Sequence, residues 1–350
     1  MIGYHAVPEI ADAYMKGIRG FDSKEALDAM VASATYVPYG HLGDYLKLGY
    51  VPIDHDGEAV SKTVEYAFDD WTIAQMARSM GRQDVAATFA KRAGNWRNVF
   101  DAKTGFARPR ISDGIFREPF DPARAGTGSG FTEGNAWQYS WYQPHDERGL
   151  IELLGGDQQL VAKLDAMFDA KVDPKDYADV EDIAGMIGQY IHGNEPSHHL
   201  AYLYNYAGQP WRTQERLTQI VNSQYKPAPD GLVGNDDLGQ MSAWLLFTYL
   251  GFYPVAPASN EYVIGRPFLK EATIHLPNQK VFHVVAKNLN DGNGYIGKVS
   301  LNGKPLDRTF IRHEEIMKGG ELRFVMTNAP NRVWAIGESA RPFSTSAASH

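Results

Sequence analysis

The sequence contains no cysteine, which excludes disulfides, thiolate nucleophiles and zinc or iron–sulfur sites built on cysteine. Basic residues are in the minority, with 34 Lys and Arg against 42 Asp and Glu, so no charge pattern predicts binding to nucleic acid or to an anionic membrane. No window approaches the ~20 apolar residues of a membrane span. The first residues have neither a basic n-region nor an apolar h-region, so no signal peptide is expected, which leaves the compartment unknown.

The remaining composition is that of a globular protein large enough for one large domain and a smaller one. Apolar residues recur every three or four positions from residue 7 to about residue 252, which indicates helices. The candidate helices cover residues 10–15, 24–36, 57–80, 82–100, 149–154, 158–170, 196–206, 210–224 and 238–249. Because no strands separate them, the pattern predicts a mainly α fold of the α/α-toroid or bundle type over residues 1–256.

The pattern changes near residue 257 to the alternation of strands, with turn-forming Asn-Gly and Gly-Gly pairs between them. Candidate strands cover residues 261–264, 271–276, 280–286, 295–301 and 321–326. We therefore expect a small antiparallel β module over residues 257–340, followed by a disordered tail over residues 341–350.

The first acidic motif, residues 132–141, places Glu133 among glycines, amides and large aromatic residues. Aromatic faces stack on the apolar side of sugar rings, and carboxylates and amides bind the hydroxyl groups, so the motif is compatible with a carbohydrate site. Trp137 and Trp141 lie four positions apart, however, and residues with that helical spacing are more often part of a core. Both interpretations remain open from the residues alone.

The second acidic motif, residues 234–244, contains the adjacent carboxylates Asp236 and Asp237 just before a predicted helix. Aspartate is favoured at helix N-termini, so either residue could simply cap the helix. Neighbouring carboxylates also raise each other's pKa, which suits a general base that activates water near neutral pH.

The third motif lies between these two in the sequence and contains His192, Asn194, Glu195 and His198. The spacing matches no zinc-protease motif, and Pro196 fits the first turn of a helix rather than its interior. A turn that presents an amide oxygen and a carboxylate suits a hard cation such as Ca²⁺ better than zinc. Plain helix capping is the alternative.

A fourth acidic stretch, residues 63–71, places Glu65 and Asp69 four positions apart on one helix face. Such a stripe is usually solvated. Here it alternates with aromatic residues, so a buried polar network that lines a cavity is an equally good interpretation.

Taken together, these motifs resemble glycoside hydrolase family 92, the calcium-dependent exo-α-mannosidases. The resemblance extends over most of the chain, with the motifs in the family's order. The matching runs are residues 2–5, 10–14, 63–71, 132–141, 193–199, 234–244 and 250–254.

The resemblance implies an (α/α)6 barrel and an inverting, Ca²⁺-dependent hydrolysis of terminal α-mannosides, of the α-1,2 type, in glycans such as N-glycans. It implies that Glu133 is the general acid and that the base is Asp237 or, second, Asp236. The other implied contacts are Trp137, Trp141, His192 and His198 with the sugars, and Gln138, Asn194 and Glu195 with Ca²⁺. His192 would face the leaving sugar.

Members of this family begin with a β-sandwich and several barrel helices before the segment that resembles residues 2–5. The chain therefore resembles the C-terminal part of such an enzyme, and its nine or ten candidate helices fall short of the twelve of a complete toroid. We expect the missing sandwich or a partner chain to cover the open flank. The resemblance also implies a parent enzyme that is periplasmic or secreted.

Two alternatives remain. One is a truncated fragment that binds sugar without turnover. The other is a different carbohydrate enzyme on an α/α toroid, such as a glycoside phosphorylase or a polysaccharide lyase. A lyase would need basic residues near its uronic acid substrate, and the acidic motifs argue against it.

Overall fold

A computed structural model describes residues 2–126, 128–180 and 182–346 of the chain. The α-helices of this part are α1 Ala6–Met15, α2 Ser23–Ser33, α3 Leu42–Leu48, α4 Ala59–Ser79, α5 Gln83–Arg92, α6 Ala136–Tyr139, α7 Glu147–Leu154, α8 Asp157–Asp169, α9 Pro210–Gln224, α10 Gln240–Leu250 and α11 His313–Met317. The 3-10 helices are Ala93–Val99, Pro174–Tyr177, Glu195–Ser197, Leu200–Asn205 and Glu338–Ala340. None of the helices in the described ranges is both long and apolar enough to cross a membrane.

The longest helix, α4, is buried on almost all sides and forms the centre of the helical region. A helix without a solvated face belongs in the interior of a domain. Helices α1, α2 and α5 pack around it, and its Phe68 and Trp71 belong to the core that they enclose. This arrangement confirms the predicted mainly α fold of the α/α-toroid type.

Two of the predicted helices are shorter in the structure than their periodicity indicated. The segment predicted over residues 82–100 is α5 followed by the 3-10 helix Ala93–Val99. The segment predicted over residues 196–206 is divided into the 3-10 helices Glu195–Ser197 and Leu200–Asn205. The break falls at His198 and His199, whose rings contact backbone carbonyl groups of other segments. These tertiary contacts outweigh the helical preference of the apolar residues.

The strands of the described residues are β1 Phe100–Asp101, β2 Phe106–Ala107, β3 Met186–Ile187, β4 Tyr190–Ile191, β5 Phe252–Tyr253, β6 Glu261–Ile264, β7 Glu271–His275, β8 Val281–Lys287, β9 Tyr295–Leu301, β10 Lys304–Pro305, β11 Phe310–Arg312 and β12 Gly320–Thr327. The β module contains a five-stranded sheet in the order β10-β9-β12-β8-β7 and a three-stranded sheet in the order β11-β6-β5. Its core contains Phe252, Phe282 and Phe324.

The predicted antiparallel module contains one parallel pair of strands. Strand β12 lies between β8 and β9, antiparallel to β9 and parallel to β8. Because β8 and β9 run in opposite directions, a strand inserted between them must be parallel to one of the two. Local alternation and turn residues carry no information about this insertion.

The segment that follows the module is not a free tail in its first six residues. Phe343 packs against Trp71 of α4, and the Thr345 backbone N–H donates to the carbonyl oxygen of His145. Arg341 forms two hydrogen bonds with Asp157. The predicted disorder is therefore wrong for residues 341–346, and residues 347–350 lie outside the described residues.

Candidate active site

The loop that carries Glu133 is attached to the first turn of α4. The Thr132 backbone N–H donates to Ser61 Oγ at 3.0 Å, and Thr132 Oγ1 donates to Glu58 Oε1 at 2.8 Å. Both partners lie on or next to the N-terminal turn of the central helix. The loop position is therefore fixed relative to the core, and the residue after Thr132 is Glu133.

A second contact holds Glu133 from the opposite side of the site. Asn194 Nδ2 donates to the Glu133 carbonyl oxygen at 3.0 Å and lies 3.3 Å from its carboxylate atom Oε2. Asn194 is buried, and its Oδ1 accepts from the backbone N–H of Glu195 at 3.1 Å. Glu133 itself has a φ of 48°, a left-handed conformation that costs energy for a residue with a Cβ. Such conformations persist where the surroundings impose them, and they cluster at functional sites.

The helix after Glu133, α6, begins with a capping box. Asn135 accepts from the Trp137 backbone N–H at 2.8 Å, and Gln138 Oε1 accepts from the Asn135 backbone N–H at 2.7 Å. Gln138 Nε2 donates to the carbonyl oxygen of Gln189. One lone pair of Gln138 Oε1 thus accepts the capping hydrogen bond. The second lone pair would be the one that binds a metal ion.

The structure separates the roles of the two carboxylates in the second motif. Asp236 caps α10, because its carboxylate accepts from the Ser242 backbone N–H at 2.9 Å and from Ser242 Oγ at 3.0 Å. Asp237 is exposed, and none of the described residues forms a hydrogen bond or an ion pair with its side chain. Asp237 and Leu238 both have a positive φ, 35° and 56°. Of these two carboxylates, Asp236 is engaged with α10, and Asp237 is exposed to solvent.

Glu195 lies within electrostatic range of both candidate catalytic residues. Burial is the main cause that raises the pKa of Glu195, and the charges of Asp237, Glu133 and Asp182 raise it further. Among the described residues, no basic side chain forms an ion pair with Glu195 or Asp237. The three motifs therefore converge on one acidic region.

The fourth acidic stretch forms a buried network under this region. His5 contacts Glu65 and Asp69, with 3.0 Å between His5 Nδ1 and Asp69 Oδ1. Burial lowers the pKa of His5, but Asp69 and Glu65 outweigh this and raise it to about 11, so the imidazole is charged. Burial also raises the pKa of Tyr139, and the charges of Glu65 and Glu133 add to this effect. Glu65 and Asp69 are therefore part of a buried polar network rather than a solvated stripe.

Sequence reasoning assigned no role in this region to His5, Ser61, Gln189 or Tyr253. Tyr253 accepts from Gln240 at 3.2 Å. Burial raises the pKa of Tyr253, and the charge of Glu195 adds to this effect. No local motif marks these residues, because each acts through a partner that is distant in sequence. The available signals were the positions of His5 and Tyr253 in the first and last runs that resemble the family.

The substrate contacts predicted for two histidines disagree with their burial. His192 is fully buried, and its two ring nitrogens contact the hydroxyl groups of Tyr190 and Tyr225 at 2.8 and 2.7 Å. His198 is also buried, between the His192 carbonyl oxygen and Gln240. Burial lowers the pKa of His198 to about 4, so the ring is neutral and structural. Neither histidine is available to a sugar in this structure.

The two tryptophans of the first motif differ in burial. Trp141 is fully buried, and its indole N–H donates to the Trp137 carbonyl oxygen at 2.7 Å. Trp137 is partly buried and packs edge-on against Phe106 with 4.8 Å between ring centroids. Trp141 is therefore a core residue, and its predicted sugar contact is not compatible with its burial.

No three His, Asp or Glu side chains of the described residues are grouped closely enough to hold a metal ion. The ligand set predicted from the sequence contains only one carboxylate, Glu195, with the amides of Gln138 and Asn194. All three donors are oxygen atoms, which are the ligands that Ca²⁺ prefers. The half-buried Glu195 carboxylate has acidic neighbours and no basic partner in the described ranges, so the residues present fit a hard cation.

The chain is similar to proteins of one family over nearly its whole length. An α-mannosidase of family GH92 from Bacteroides thetaiotaomicron, solved in complex with mannoimidazole, has 41% identity and a TM-score of 0.95, over 99% of this chain and 46% of that chain. An inverting mannosidase of the same family and organism has 39% identity and a TM-score of 0.88, over 98% and 48%.

A curated relative, an uncharacterized secreted glycosidase of Arthroderma benhamiae, is 30% identical over 97% of this chain and 47% of its own length. The chain thus spans about half the length of these relatives. Residues 1–328 match the catalytic domain of glycosyl hydrolase family 92. With a match of this extent on a shared fold, the chain belongs to glycosyl hydrolase family 92.

Proposed function

We propose that this chain carries the catalytic residues of an inverting, Ca²⁺-dependent exo-α-mannosidase of the α-1,2 type. The observation that carries the proposal is the hydrogen bond between Asn194 and Glu133, which brings the proposed acid beside the motif that contains Glu195. Hydrolysis with inversion requires an acid and a base on opposite sides of the scissile bond. Two similar structures are mannosidases, which supports the choice of sugar.

Glu133 acts as the general acid in this proposal. It protonates the glycosidic oxygen while the bond to the anomeric carbon breaks, so the leaving sugar departs as a neutral alcohol. Support comes from its fixed position, because Thr132 and Asn194 hold the residue from two sides. A positioned acid loses less entropy on reaching the transition state than a mobile one.

Asp237 acts as the general base and removes a proton from the water that attacks the anomeric carbon. Its exposure and the absence of any described partner to its side chain support this assignment over Asp236, which is occupied in the cap of α10. Asp236 keeps the turn in place and so positions Asp237.

Asn194, Glu195 and Gln138 would hold Ca²⁺ through their side-chain oxygens. The bound cation would supply a positive charge that holds mannose hydroxyl groups and favours a distorted ring. Asn194 then has two functions. Its Nδ2 positions Glu133, and its Oδ1, which accepts from the Glu195 backbone N–H, would also bind the cation. Oxygen-only donors and the lack of a basic neighbour at Glu195 support this set.

The proposed substrate is a mannose-containing glycan such as an N-glycan, and we expect no role for nucleic acid or membrane. We also propose that the parent enzyme acts in the periplasm or outside the cell, and the similarity to a secreted glycosidase of Arthroderma benhamiae supports this.

We propose further that a β-sandwich domain or a partner chain covers one flank of the helical part. Four large apolar side chains between the end of α2 and the end of α3 support this, since they are 41–61% exposed: Tyr36, Val37, Tyr39 and Leu46. The half-length coverage of the similar structures leaves room for such a domain. Adding the sandwich domain in trans should slow hydrogen–deuterium exchange at the backbone amides of these four residues. Unchanged exchange would contradict this part of the proposal.

The test of the proposed function is hydrolysis of α-1,2-mannobiose and of an aryl α-mannoside by this chain, with Ca²⁺ and with EDTA. Glu133→Gln serves as the matched variant, and proton NMR identifies the anomer that is released first. Release of β-mannose that depends on Ca²⁺ and on Glu133 is the expected result.

Each of the other results identifies an alternative. Calcium-dependent mannose binding without turnover would favour the fragment that only binds sugar. Turnover that requires phosphate would identify a phosphorylase. Full activity in EDTA would refute the calcium assignment while leaving the acid and base standing.

A further inference from the structure

A half-buried lysine behind the first acidic motif has no carboxylate partner. Lys163 lies on α8, and its Nζ is 3.1 Å from the ring centroid of Phe106. The same atom is 5.1 Å from the centroid of Trp137 and 5.8 Å from that of Trp141. Among the described residues, no acidic side chain forms an ion pair with Lys163, and no hydrogen bond involves its Nζ. The amine is therefore enclosed by aromatic faces on one side.

Lys16 provides a matched contrast within the same chain. It is also half-buried, and its Nζ lies 5.3 Å from the ring centroid of Tyr262. Unlike Lys163, it has an ion pair, with 2.5 Å between its Nζ and Asp12 Oδ2. The two lysines thus differ mainly in whether a carboxylate compensates for the lost hydration of the ammonium group.

This difference predicts opposite protonation behaviour. Burial disfavours the charged form of a lysine, and an adjacent carboxylate favours it. Burial lowers the pKa of Lys163 to about 7. Burial also lowers the pKa of Lys16, but the charge of Asp12 and then that of Tyr262 outweigh it, so the net shift is upward. Aromatic faces attract the cation too weakly to replace a carboxylate.

We propose that Lys163 is a nucleophilic lysine that takes an acyl group from a small activated acyl donor, an acyl phosphate or an acyl thioester. The neutral amine nitrogen attacks the carbonyl carbon and forms the C–N bond. The bond from that carbon to the leaving oxygen or sulfur breaks, and the leaving group takes the electron pair. The amine releases one proton to water, which leaves a neutral amide.

Acylation would remove a charge next to the helix that carries Gln138. An amide at this position no longer provides a cation for Phe106 and Trp137, and it adds bulk between α8 and α6. Trp137 lies four residues after Glu133. Acylation of Lys163 would therefore change the surroundings of the segment that carries the proposed general acid. The inference itself does not depend on the proposed mannosidase activity.

The test compares acetylation rates of individual lysines by peptide mass spectrometry. The full chain is treated with acetyl phosphate in one arm and acetyl-coenzyme A in the other, at pH 6, 7, 8 and 10. Each lysine rate is divided by the rate of the same lysine in urea-denatured protein. This ratio removes the effect of peptide sequence and detection.

At pH 7, Lys163 should react on the order of tenfold faster than Lys16, because a larger fraction of its amine is neutral. The advantage should narrow at pH 10, where a larger fraction of Lys16 is neutral than at pH 7 and the more basic amine is the better nucleophile. Reaction in only one arm identifies the type of donor. A Lys163 rate at or below that of Lys16 at pH 7 in both arms would overturn the proposal.

Two variants identify the cause of the rate difference. Asp12→Asn removes the partner of Lys16, so its rate at pH 7 should rise toward that of Lys163. Lys163→Arg should remove the fast-reacting site from the peptide map without creating another. If Asp12→Asn leaves the Lys16 rate unchanged while circular dichroism shows a folded protein, the missing carboxylate is not what makes Lys163 reactive.

Discussion

The two loops that supply the proposed acid and base are held very differently. The Glu133 loop is fixed by Glu58 and Ser61 at the start of α4 and by Asn194 across the site. The loop of Asp237 is held by the contact of Asp236 with Ser242 on α10 and by Asn235, whose Nδ2 donates to Asp182 at 2.9 Å in an exposed position. Yet both key residues have a left-handed backbone.

The difference matches what each group must do. A general acid must reach one oxygen atom of the bound substrate, so a small displacement weakens proton transfer. A base that works on water needs solvent access, and the exposed Asp237 side chain has it. The comparison can therefore be tested by weakening one loop at a time.

The largest effect is expected from Glu133→Gln, which removes the acid and keeps the size of the side chain. Loss of general acid catalysis should lower kcat by about 10²–10⁴-fold on α-1,2-mannobiose. An aryl mannoside with an acidic phenol as leaving group needs less protonation, so its kcat should fall much less. Steady-state kinetics on the two substrates measures the contrast. An equal fall on both would argue that Glu133 is not the acid.

On the other loop, Asp237→Asn should lower kcat by about 10²–10⁴-fold on both substrates, since the attacking water loses its base. Asp236→Asn is the matched control, because Asn caps a helix about as well as Asp but cannot accept the proton. It should keep kcat within a few-fold and leave Tm unchanged. The opposite pattern would transfer the base role to Asp236.

The two loops are joined by His198 and His199, and acid should weaken this link. The ring of His199 contacts the Trp141 carbonyl oxygen, and that of His198 contacts Gln240. Burial lowers the pKa of both to about 4, against 6.5 when unfolded. The unfolded chain binds more protons between these values, so stability is full above pH 6.5 and falls toward pH 4.

Each histidine should contribute about 3 kcal/mol to this loss between pH 6.5 and pH 4. Urea unfolding at pH 7 and at pH 5 measures it. His198→Gln should reduce the pH dependence, and substitution of the exposed His275 by Gln should not. A wild-type stability that is flat over this range would contradict the neutral buried state of the two rings.

The smallest effect is expected from Thr132→Val, which removes the hydrogen bond to Glu58 while keeping the shape of the side chain. Stability should fall by about 1 kcal/mol and kcat roughly fivefold, because Glu133 is less well positioned. Thr104→Val removes a similar local hydrogen bond to Asp101 in an exposed turn and should leave kcat unchanged. Equal kcat values for the two variants would show that the attachment to α4 does not position the acid.

The sequence predicts correctly those structural features that neighbouring residues determine, and it does not predict those that depend on distant residues. Helix α9 has the predicted bounds, because its starting Pro210 and its apolar spacing are local signals. The position of β12 beside β8 was not predictable, since pairing across more than 30 residues leaves no local mark.

The histidines of the third motif illustrate the same limit at the site. The family resemblance implied contact with sugars, whereas Tyr190, Tyr225 and Gln240 enclose them. Tyr225 and Gln240 lie more than 30 residues away in the sequence, so residues 192–199 alone could not reveal them. The choice between Asp236 and Asp237 depended instead on how the folded loop orients the two side chains, since Ser242 lies in the same motif.

By itself, the sequence determined the mainly α fold, the change to strands after residue 257, the family and the acidic motifs. These follow from periodicity and from residue types at fixed spacing, which are local properties. Only the tertiary structure decided which acid faces water, which one caps a helix, and that Lys163 lacks the carboxylate that Lys16 has. The reason is physical: exposure, capping contacts and charge compensation depend on how the folded chain packs around each side chain, which residue types and spacing do not specify.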